Sequence, residues 1–405
     1  MPSLAVPPPV VRRTAGLGVA LAGTALIAST YGMARFGVGL FAPRLAVERP
    51  ELAQVVGLAA AAQFVAYSLA AAAAVRVTDR RPRVGLVLAG VTATAGCVGV
   101  AVASSPVTFV AAVFVGGTGA GLASPALVRV VDAVVPGHAA ATAQSLVNTG
   151  TAVGVIGAGL LAFATSSTAP AWVLMAAVCA ASAAAVLLLV RGRTDLSGPT
   201  ATVPPASPSS ELWRLLVLPT VAALVVGAGS ALIWTFGPLL ATGSGPVEDG
   251  RVGWLWIALG LGGLVGPATG VVVERLGPRR GWTAFAGVLV LANLTLAAAL
   301  GLGSAVGAFA AMALFGAGYM CLSGVLILWA RSVWPTAAGA GTSVLFIALA
   351  VGQAAGSLGF GAARDGAGAA AVSLAAAVLC AVGGALTSAR LRPRRWMDRT
   401  GRLVG

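Results

Sequence analysis

Ser29-Thr30-Tyr31-Gly32-Met33-Ala34-Arg35-Phe36-Gly37-Val38-Gly39-Leu40-Phe41-Ala42-Pro43 sets one arginine inside an apolar segment that runs from about residue 15 to residue 41. Arg35 is the only ionisable residue that falls deep within any hydrophobic segment of the chain. An arginine at the middle of a membrane helix costs roughly 2.5 to 3.5 kcal/mol on insertion scales, so it normally faces a protein interior or a watery cavity and works there. Thr24, Ala28, Tyr31 and Arg35 fall at i, i+4, i+7 and i+11. On a regular helix that spacing puts the hydroxyls and the guanidinium on one face, turned away from lipid.

The rest of the chain reads as the same kind of material. Its 405 residues are 58% hydrophobic and 9% charged, whereas soluble domains carry about 25% charged residues. Apolar runs of about 20 residues, enough to cross a bilayer of about 30 Å, recur along the whole length. Strand-like alternation is missing and Ala, Leu, Gly and Val dominate, so the spans are helices and not barrel strands. The first six fall at about 15–41, 52–77, 84–103, 108–131, 141–164 and 171–190. Six more fall at about 212–241, 253–273, 282–303, 305–330, 340–363 and 368–389. Between them, 191–211 is the one long polar, Pro/Ser-rich segment and reads as a linker, while 390–405 is a basic tail. The apolar stretch that follows Arg12 and Arg13 is too long for a cleaved signal peptide and reads as an uncleaved first helix.

Two sets of six suggest a duplication, and the sequence supports it. Sliding the chain by 199 residues pairs Gly117 with Gly316, Gly119 with Gly318, Ser124 with Ser323, Leu127 with Leu326 and Pro136 with Pro335. A shift of 195 pairs Phe41 with Phe236, Pro43 with Pro238, Asp79 with Glu274 and Arg80 with Arg275. The expected fold is an all-α integral membrane protein: twelve transmembrane helices in two pseudo-symmetric six-helix bundles, 1–190 and 212–389. Arginine placement gives its orientation. With the amino terminus inside, only Arg44, Arg49, Arg251 and Arg364 lie outside, which is a strong positive-inside bias and puts both termini in the cytoplasm of a bacterial cell.

Composition excludes several functions. The net charge of +14 does not signal nucleic-acid binding, because the arginines sit in short loops and tails between apolar spans. No lysine occurs, so a Walker A site and a Schiff base are both ruled out. The four cysteines, Cys97, Cys179, Cys321 and Cys380, stand apart without CxxC spacing and read as packing residues, and His138 is the one histidine, so no metal site or cofactor is expected. There is no GxSxG, HExxH or buried carboxylate pair, so no catalytic residue is assigned and an enzyme is not expected.

After the second and eighth spans come Val75-xxx-Asp79-Arg80-Arg81-Pro82-Arg83 and Gly270-xxx-Glu274-Arg275-Leu276-Gly277-Pro278-Arg279-Arg280. Each reverses the chain in few residues while its arginines anchor the turn at the headgroups. Both resemble the Gly-xxx-Asp-Arg-x-Gly-Arg-Arg loop of the major facilitator superfamily, the second more closely, since Val75 and Pro82 replace the usual glycines of the first. The resemblance implies secondary transport of a small-molecule solute by alternating access. It also implies a gating latch formed by Asp79, Arg80, Glu274 and Arg275. The fourth-span arginine and the fifth-span Gly-Pro of the commonest antiporters are missing, which argues against their scheme of proton-coupled drug efflux. Tyr31-Gly32-xx-Arg35-Phe36-xxx-Leu40-xx-Pro43 further resembles the first helix of YbfB/YjiJ-type bacterial permeases.

The polar residues of the spans are unevenly shared. Gln63 and Tyr67, Gln144, Asn148 and Thr151, Ser230 and Trp234, Tyr319 and Ser323, and Gln353 and Ser357 lie at helical face spacing in spans 2, 5, 7, 10 and 11, whereas spans 3, 6, 9 and 12 offer little beyond Asn293. Interhelical hydrogen bonding accounts for any one of these, and together they argue for a wet central cavity. The candidate substrate residues are Arg35, Tyr31, Gln63, Tyr67, Gln144, Asn148, Trp234, Tyr319 and Gln353. No Asp or Glu lies in any span, so the partner of Arg35 is water, a backbone carbonyl, a tyrosine such as Tyr31, or an anionic substrate. Substrate binding and structural pairing both stay open. A monomer in the lipid bilayer that moves a small organic anion or amphiphile is the favoured expectation. Protons as coupling ion, a drug or metabolite efflux role, and a non-transporting receptor or scaffold remain alternatives.

The glycines Gly116, Gly117, Gly119 and Gly121 of the fourth span and Gly150, Gly154, Gly157 and Gly159 of the fifth suit close helix approach, either as static packing or as sliding surfaces.

Overall fold

A computed structural model describes residues 9–192, 210–243, 245–335 and 338–388. Most of the 191–211 linker, the side chains of Asp79, Arg80 and His138, and the 390–405 tail lie outside the described residues.

Among the described residues, eleven helical segments are long and apolar enough to cross a membrane. One of them, Asp249–Leu302, is 54 residues long, about twice what a bilayer requires. It is broken at Gly277, whose φ of 78° and ψ of 163° belong to a region open essentially to glycine alone. With that break there are twelve spans in a multi-pass membrane protein. The helix α1 comprises Pro9–Ile27, a wide π-helical stretch Ala28–Arg35, and Gly37–Glu48. Then follow α2 (Val56–Arg80), α3 (Pro82–Ala101), α4 (Pro106–Val134), α5 (Gly137–Ala164) and α6 (Thr168–Leu189). The second half holds α7 (Ser210–Ala241), α8 (from Val252 through a short Gly266–Ala268 turn to 276), α9 (278–302), α10 (Ala305–Val333), α11 (Ala338–Ala367) and α12 (Ala369–Leu386).

Proline and side-chain caps set several starts. Pro82 and Pro106 occupy first-turn positions, where a missing N–H costs nothing. Ser105 and Thr108 cap α4 reciprocally. Proline does not end α1 as the sequence pattern suggests: the helix continues past Pro43 to Glu48. That extension has work to do, because Arg44 donates to the carbonyls of Ala162 and, at 2.9 Å, Thr165, while Glu48 accepts from the Thr168 N–H at 3.0 Å and its hydroxyl at 2.6 Å. These bonds satisfy both free helix ends at the α5–α6 corner. On the opposite side Arg83 donates to the Val190 carbonyl at 2.9 Å and ties the α2–α3 turn to the end of α6.

The halves are built alike. In the first, α4 packs on α2 and α3, α3 on α6, and α5 on α1; in the second, α10 packs on α8 and α9, α9 on α12, and α11 on α7. The halves meet through α2 with α11 and α5 with α8, which are equivalent pairs under the same exchange. Several close glycine approaches between the halves lie towards the arginine-poor ends, including Gly39 on the Trp234 carbonyl, Gly57 on Ser357 and Gly361, and Gly159 on Gly253, while Gly260 and Gly263 meet Ala152 near mid-span. Towards the arginine-rich ends Asn148 and residues 267 and 268 are exposed instead. The close glycine contacts between the halves therefore gather towards one side of the molecule. Most of the fourth-span glycines serve packing within a half, with Gly117 and Gly121 against the α2 backbone and Gly119 against α3, whereas Gly159 of α5 sits at the seam. The four cysteines are buried and free, and the Cys97 and Cys179 thiols, far apart in sequence, are neighbours between α3 and α6.

Candidate functional site

The π-helical stretch sets the site. A π-helix bonds i to i+5, roughly one residue more per turn than an α-helix, and such stretches concentrate at functional positions. Here Ser29 and Thr30 both return their hydroxyls to the Leu26 carbonyl, at 3.0 and 2.7 Å, and Gln63 of α2 donates to the Ala34 carbonyl at 3.2 Å. Gly32 and Gly154 let the wide backbone lie directly on α5: a Cβ at Gly32 would meet the Gly154 backbone, and one at Gly154 would meet the Ala28 carbonyl. The wider turn also breaks the stripe read from the sequence. Thr24 does not share a face with Arg35; its hydroxyl bonds the carbonyls of Ala20 and, across to α5, Leu146.

Arg35 closes this stretch and is 5% exposed. Its guanidinium carbon lies 3.9 Å from the centre of the Tyr67 ring, 5.1 Å from Phe36, 5.2 Å from Phe64 and 5.3 Å from Tyr31. Cation–π attraction in a desolvated setting is worth about 2 kcal/mol or more. What the cage does not supply is an anion or an acceptor. Nε is buried without a hydrogen-bond partner, and among the described residues no carboxylate or carbonyl pairs with the two terminal nitrogens, which remain accessible. The Tyr31 hydroxyl donates to that of Tyr67 at 3.4 Å.

The second half meets this cage through aromatic rings. Phe36 stacks on Trp234 with centroids 3.7 Å apart and planes 12° from parallel. Trp234, 1% exposed, is met edge-on by Trp256 at 5.8 Å, Phe315 at 5.4 Å and Tyr319 at 5.2 Å. Gln353 donates from Nε2 to the Tyr319 hydroxyl at 3.1 Å. Three polar atoms of this patch, Gln353 Oε1, Trp234 Nε1 and Trp256 Nε1, are buried with no partner. Phe36, which lies beside the Arg35 guanidinium and stacks on Trp234, joins the two patches.

Seven of the nine candidate substrate residues thus converge: Arg35, Tyr31, Gln63 and Tyr67 from the first half, Trp234, Tyr319 and Gln353 from the second. Gln63 holds the backbone beneath Arg35 and does not reach the guanidinium. Gln144 and Asn148 bond each other at 3.2 Å, nearer the arginine-rich side than the Gly150–Gly154 contact with α1. They line the approach and not the cage. Sequence reading missed Phe36, Phe64 and Phe315, because it searched for polar residues; the signal available was the adjacency of Phe36 to Arg35 and of Phe64 to Gln63. Of the expected latch, Glu274 and Arg275 are exposed, towards the arginine-rich side, and make no ion pair among the described residues. Among the described residues no group of His, Cys, Asp and Glu could hold a metal.

With this geometry in view, comparisons place the chain among known proteins. The family model described as the Major Facilitator Superfamily matches residues 24–357. Among curated proteins none matches the sequence. Similar solved structures include the nucleoside transporter NupG, with a TM-score of 0.72 at 12% identity over 93% of this chain and 98% of that one. A POT family transporter in complex with 5-aminolevulinic acid gives 0.73 at 12% identity over 92% and 95%. A partially occluded inward open form of the xylose transporter XylE from E. coli gives 0.71 at 14% identity over 96% and 100%. At such identities the likeness is one of fold.

Proposed function

The chain belongs to the Major Facilitator Superfamily, a transporter family and not an enzyme family, and on that premise we propose that it carries a small organic anion, or an amphiphile with an anionic head, across the bacterial cytoplasmic membrane. The single observation behind this reading is Arg35, a buried guanidinium stacked among four rings with its terminal nitrogens unpaired. A guanidinium fork recognises carboxylate or phosphate in bidentate fashion. The rings around it supply apolar walls of the kind that small-molecule sites use, with a few polar groups fixing orientation. Nucleosides, xylose and 5-aminolevulinic acid appear with the structural neighbours, a spread that selects no class by itself. Arg35 is what selects.

Transport by alternating access fits the two-half architecture: the close glycine contacts between the halves gather on the arginine-poor side, so rocking about the Arg35 level would expose the solute to either face. The arginine distribution puts the arginine-rich side in the cytoplasm, with both termini. Glu274 and Arg275 would pair with the Asp79–Arg80 turn when the arginine-rich side closes. The anion's own proton, or exchange of one anion for another, provides the coupling, since no acidic residue lies within the apolar run of any span. The site is made within a single chain, so a monomer suffices.

Counterflow in proteoliposomes tests the reading. Vesicles loaded with unlabelled benzoate should accumulate radiolabelled benzoate at a rate well above protein-free vesicles, and Arg35→Gln should abolish the difference. Uptake of a neutral sugar that is insensitive to Arg35→Gln, with no carboxylate exchanged, would overturn it.

A further inference from the structure

The second half of the site makes a demand of its own, separate from the charge on Arg35. Gln353 is fully buried, and its amide pairs through one head with Tyr319, leaving the other, Oε1, without a donor. Trp234, whose ring meets the Tyr319 ring edge to face, leaves a buried Nε1–H without an acceptor. An unpaired buried polar atom carries its desolvation cost in full, so groups of this kind persist where something that comes and goes pairs with them. The glutamine oxygen needs a donor, and the indole N–H groups of Trp234 and the neighbouring Trp256 need acceptors. A hydroxyl is the smallest group that is both.

Resting on the anion reading above, we infer that the solute is a hydroxylated monocarboxylate with a flat ring between its two polar ends. The carboxylate lies in the Arg35 fork. The ring lies among Tyr67, Phe36, Trp234 and Tyr319, which offer both faces and edges for stacking. The hydroxyl donates to Gln353 Oε1 and accepts from Trp234 Nε1. Because Arg35 belongs to the first half and Gln353 and Trp234 to the second, such a solute bridges the two halves, and each end is recognised by a different half.

Other features of the molecule carry less. The apolar groove between α7, α11 and α12, about 330 Å³, is lined by small residues with nothing to say what covers it. The Cys97–Cys179 pair is sealed inside one half.

The test uses the purified full chain and three matched probes: benzoate, para-hydroxybenzoate and para-methoxybenzoate. The methoxy compound keeps the acceptor and loses the donor. Affinities are read by isothermal titration in the wild type, Gln353→Met, Trp234→Phe and Arg35→Gln, with ligand-free unfolding curves showing which variants are folded. A site built to bond a hydroxyl rejects an analogue that lacks it, because its own polar groups are then left unpaired. Para-hydroxybenzoate should bind the wild type about tenfold or more tightly than either other probe. Gln353→Met should bring the ratio between the hydroxy and methoxy compounds close to one, and Trp234→Phe, which keeps a ring but loses the N–H, should narrow the gap between hydroxybenzoate and benzoate. Equal affinities of all three probes for the wild type, or a preference for the hydroxyl that survives both substitutions, would overturn the inference and leave the anion reading standing. If none of the carboxylates binds, or all bind Arg35→Gln as they bind the wild type, the anion reading itself fails.

Discussion

Replacing Arg35 with methionine should make the ligand-free protein more stable. Carrying an arginine at this depth costs roughly 2.5 to 3.5 kcal/mol on insertion scales. The Tyr67 ring at 3.9 Å and the three rings at 5.1 to 5.3 Å offset part of that, with about 2 kcal/mol as the typical desolvated cation–π value. No hydrogen bond or ion pair adds to the offset. The balance leaves the arginine costing about 1 kcal/mol, and methionine, flexible and well suited to aromatic surroundings, fills a comparable space. Residues kept for binding commonly lower stability in this way. Unfolding of purified wild type and Arg35→Met, followed by tryptophan fluorescence in one detergent without ligand, should show equal or slightly higher stability for the variant. Were Arg35 instead one member of a buried ion pair, removing it would cost about 3 to 5 kcal/mol. The two outcomes differ by about 4 kcal/mol in opposite directions, so a clear loss of stability in Arg35→Met would refute the reasoning.

Three further outcomes follow from the same geometry. Phe36→Ala removes the 3.7 Å stack on Trp234; such a pair contributes about 0.5–1.5 kcal/mol beyond its buried area, and amide hydrogen exchange in residues 37–45 and 234–241 should rise. Gly39→Val would drive a side chain into the Trp234 carbonyl, so spin labels at the exposed Val47 and Trp254, one on each half, should move apart by several ångströms and solute turnover should fall while the protein stays folded. Arginine keeps its charge across the accessible pH range, so benzoate binding should fall only as pH drops through the ligand's own carboxyl pKa; a fall near neutrality would point to a titrating protein group instead.

Much of the fold is legible in the chain because a bilayer allows so few solutions. Span length, the Pro/Ser-rich 191–211 segment and the paired Asp79–Arg80 and Glu274–Arg275 turns give the layout directly. Gly277 was readable as a turn, and its φ of 78° is why the 54-residue helical run splits in two. The wide stretch Ala28–Arg35 was not readable. Its width comes from hydroxyls returning to the Leu26 carbonyl and from Gly154 on a distant helix, and no local pattern in residues 28–35 announces either. Helical spacing therefore put Thr24 on the face of Arg35, where it is not.

For the site, chemistry was more legible than arrangement. One arginine in an apolar run drew attention to itself, and tyrosines and glutamines in spans 2, 10 and 11 marked a cavity. Phe36, Phe64 and Phe315 were hidden because phenylalanine in a membrane helix is ordinary lipid-facing or core material. Only the tertiary fold turns those rings into walls around a charge. Gln144 and Asn148 have the right residue types, yet they bond each other towards the arginine-rich side and not Arg35.

The account stands on Arg35 binding an anion. Isothermal titration of benzoate into purified wild-type protein and into Arg35→Gln, in one detergent and buffer, addresses that claim directly. Saturable binding to the wild type with one site per chain, reduced by at least a hundredfold in a folded Arg35→Gln, is the predicted result. Equal binding to both proteins would contradict it and move the search for the solute to Gln144, Asn148, Trp234 and Tyr319.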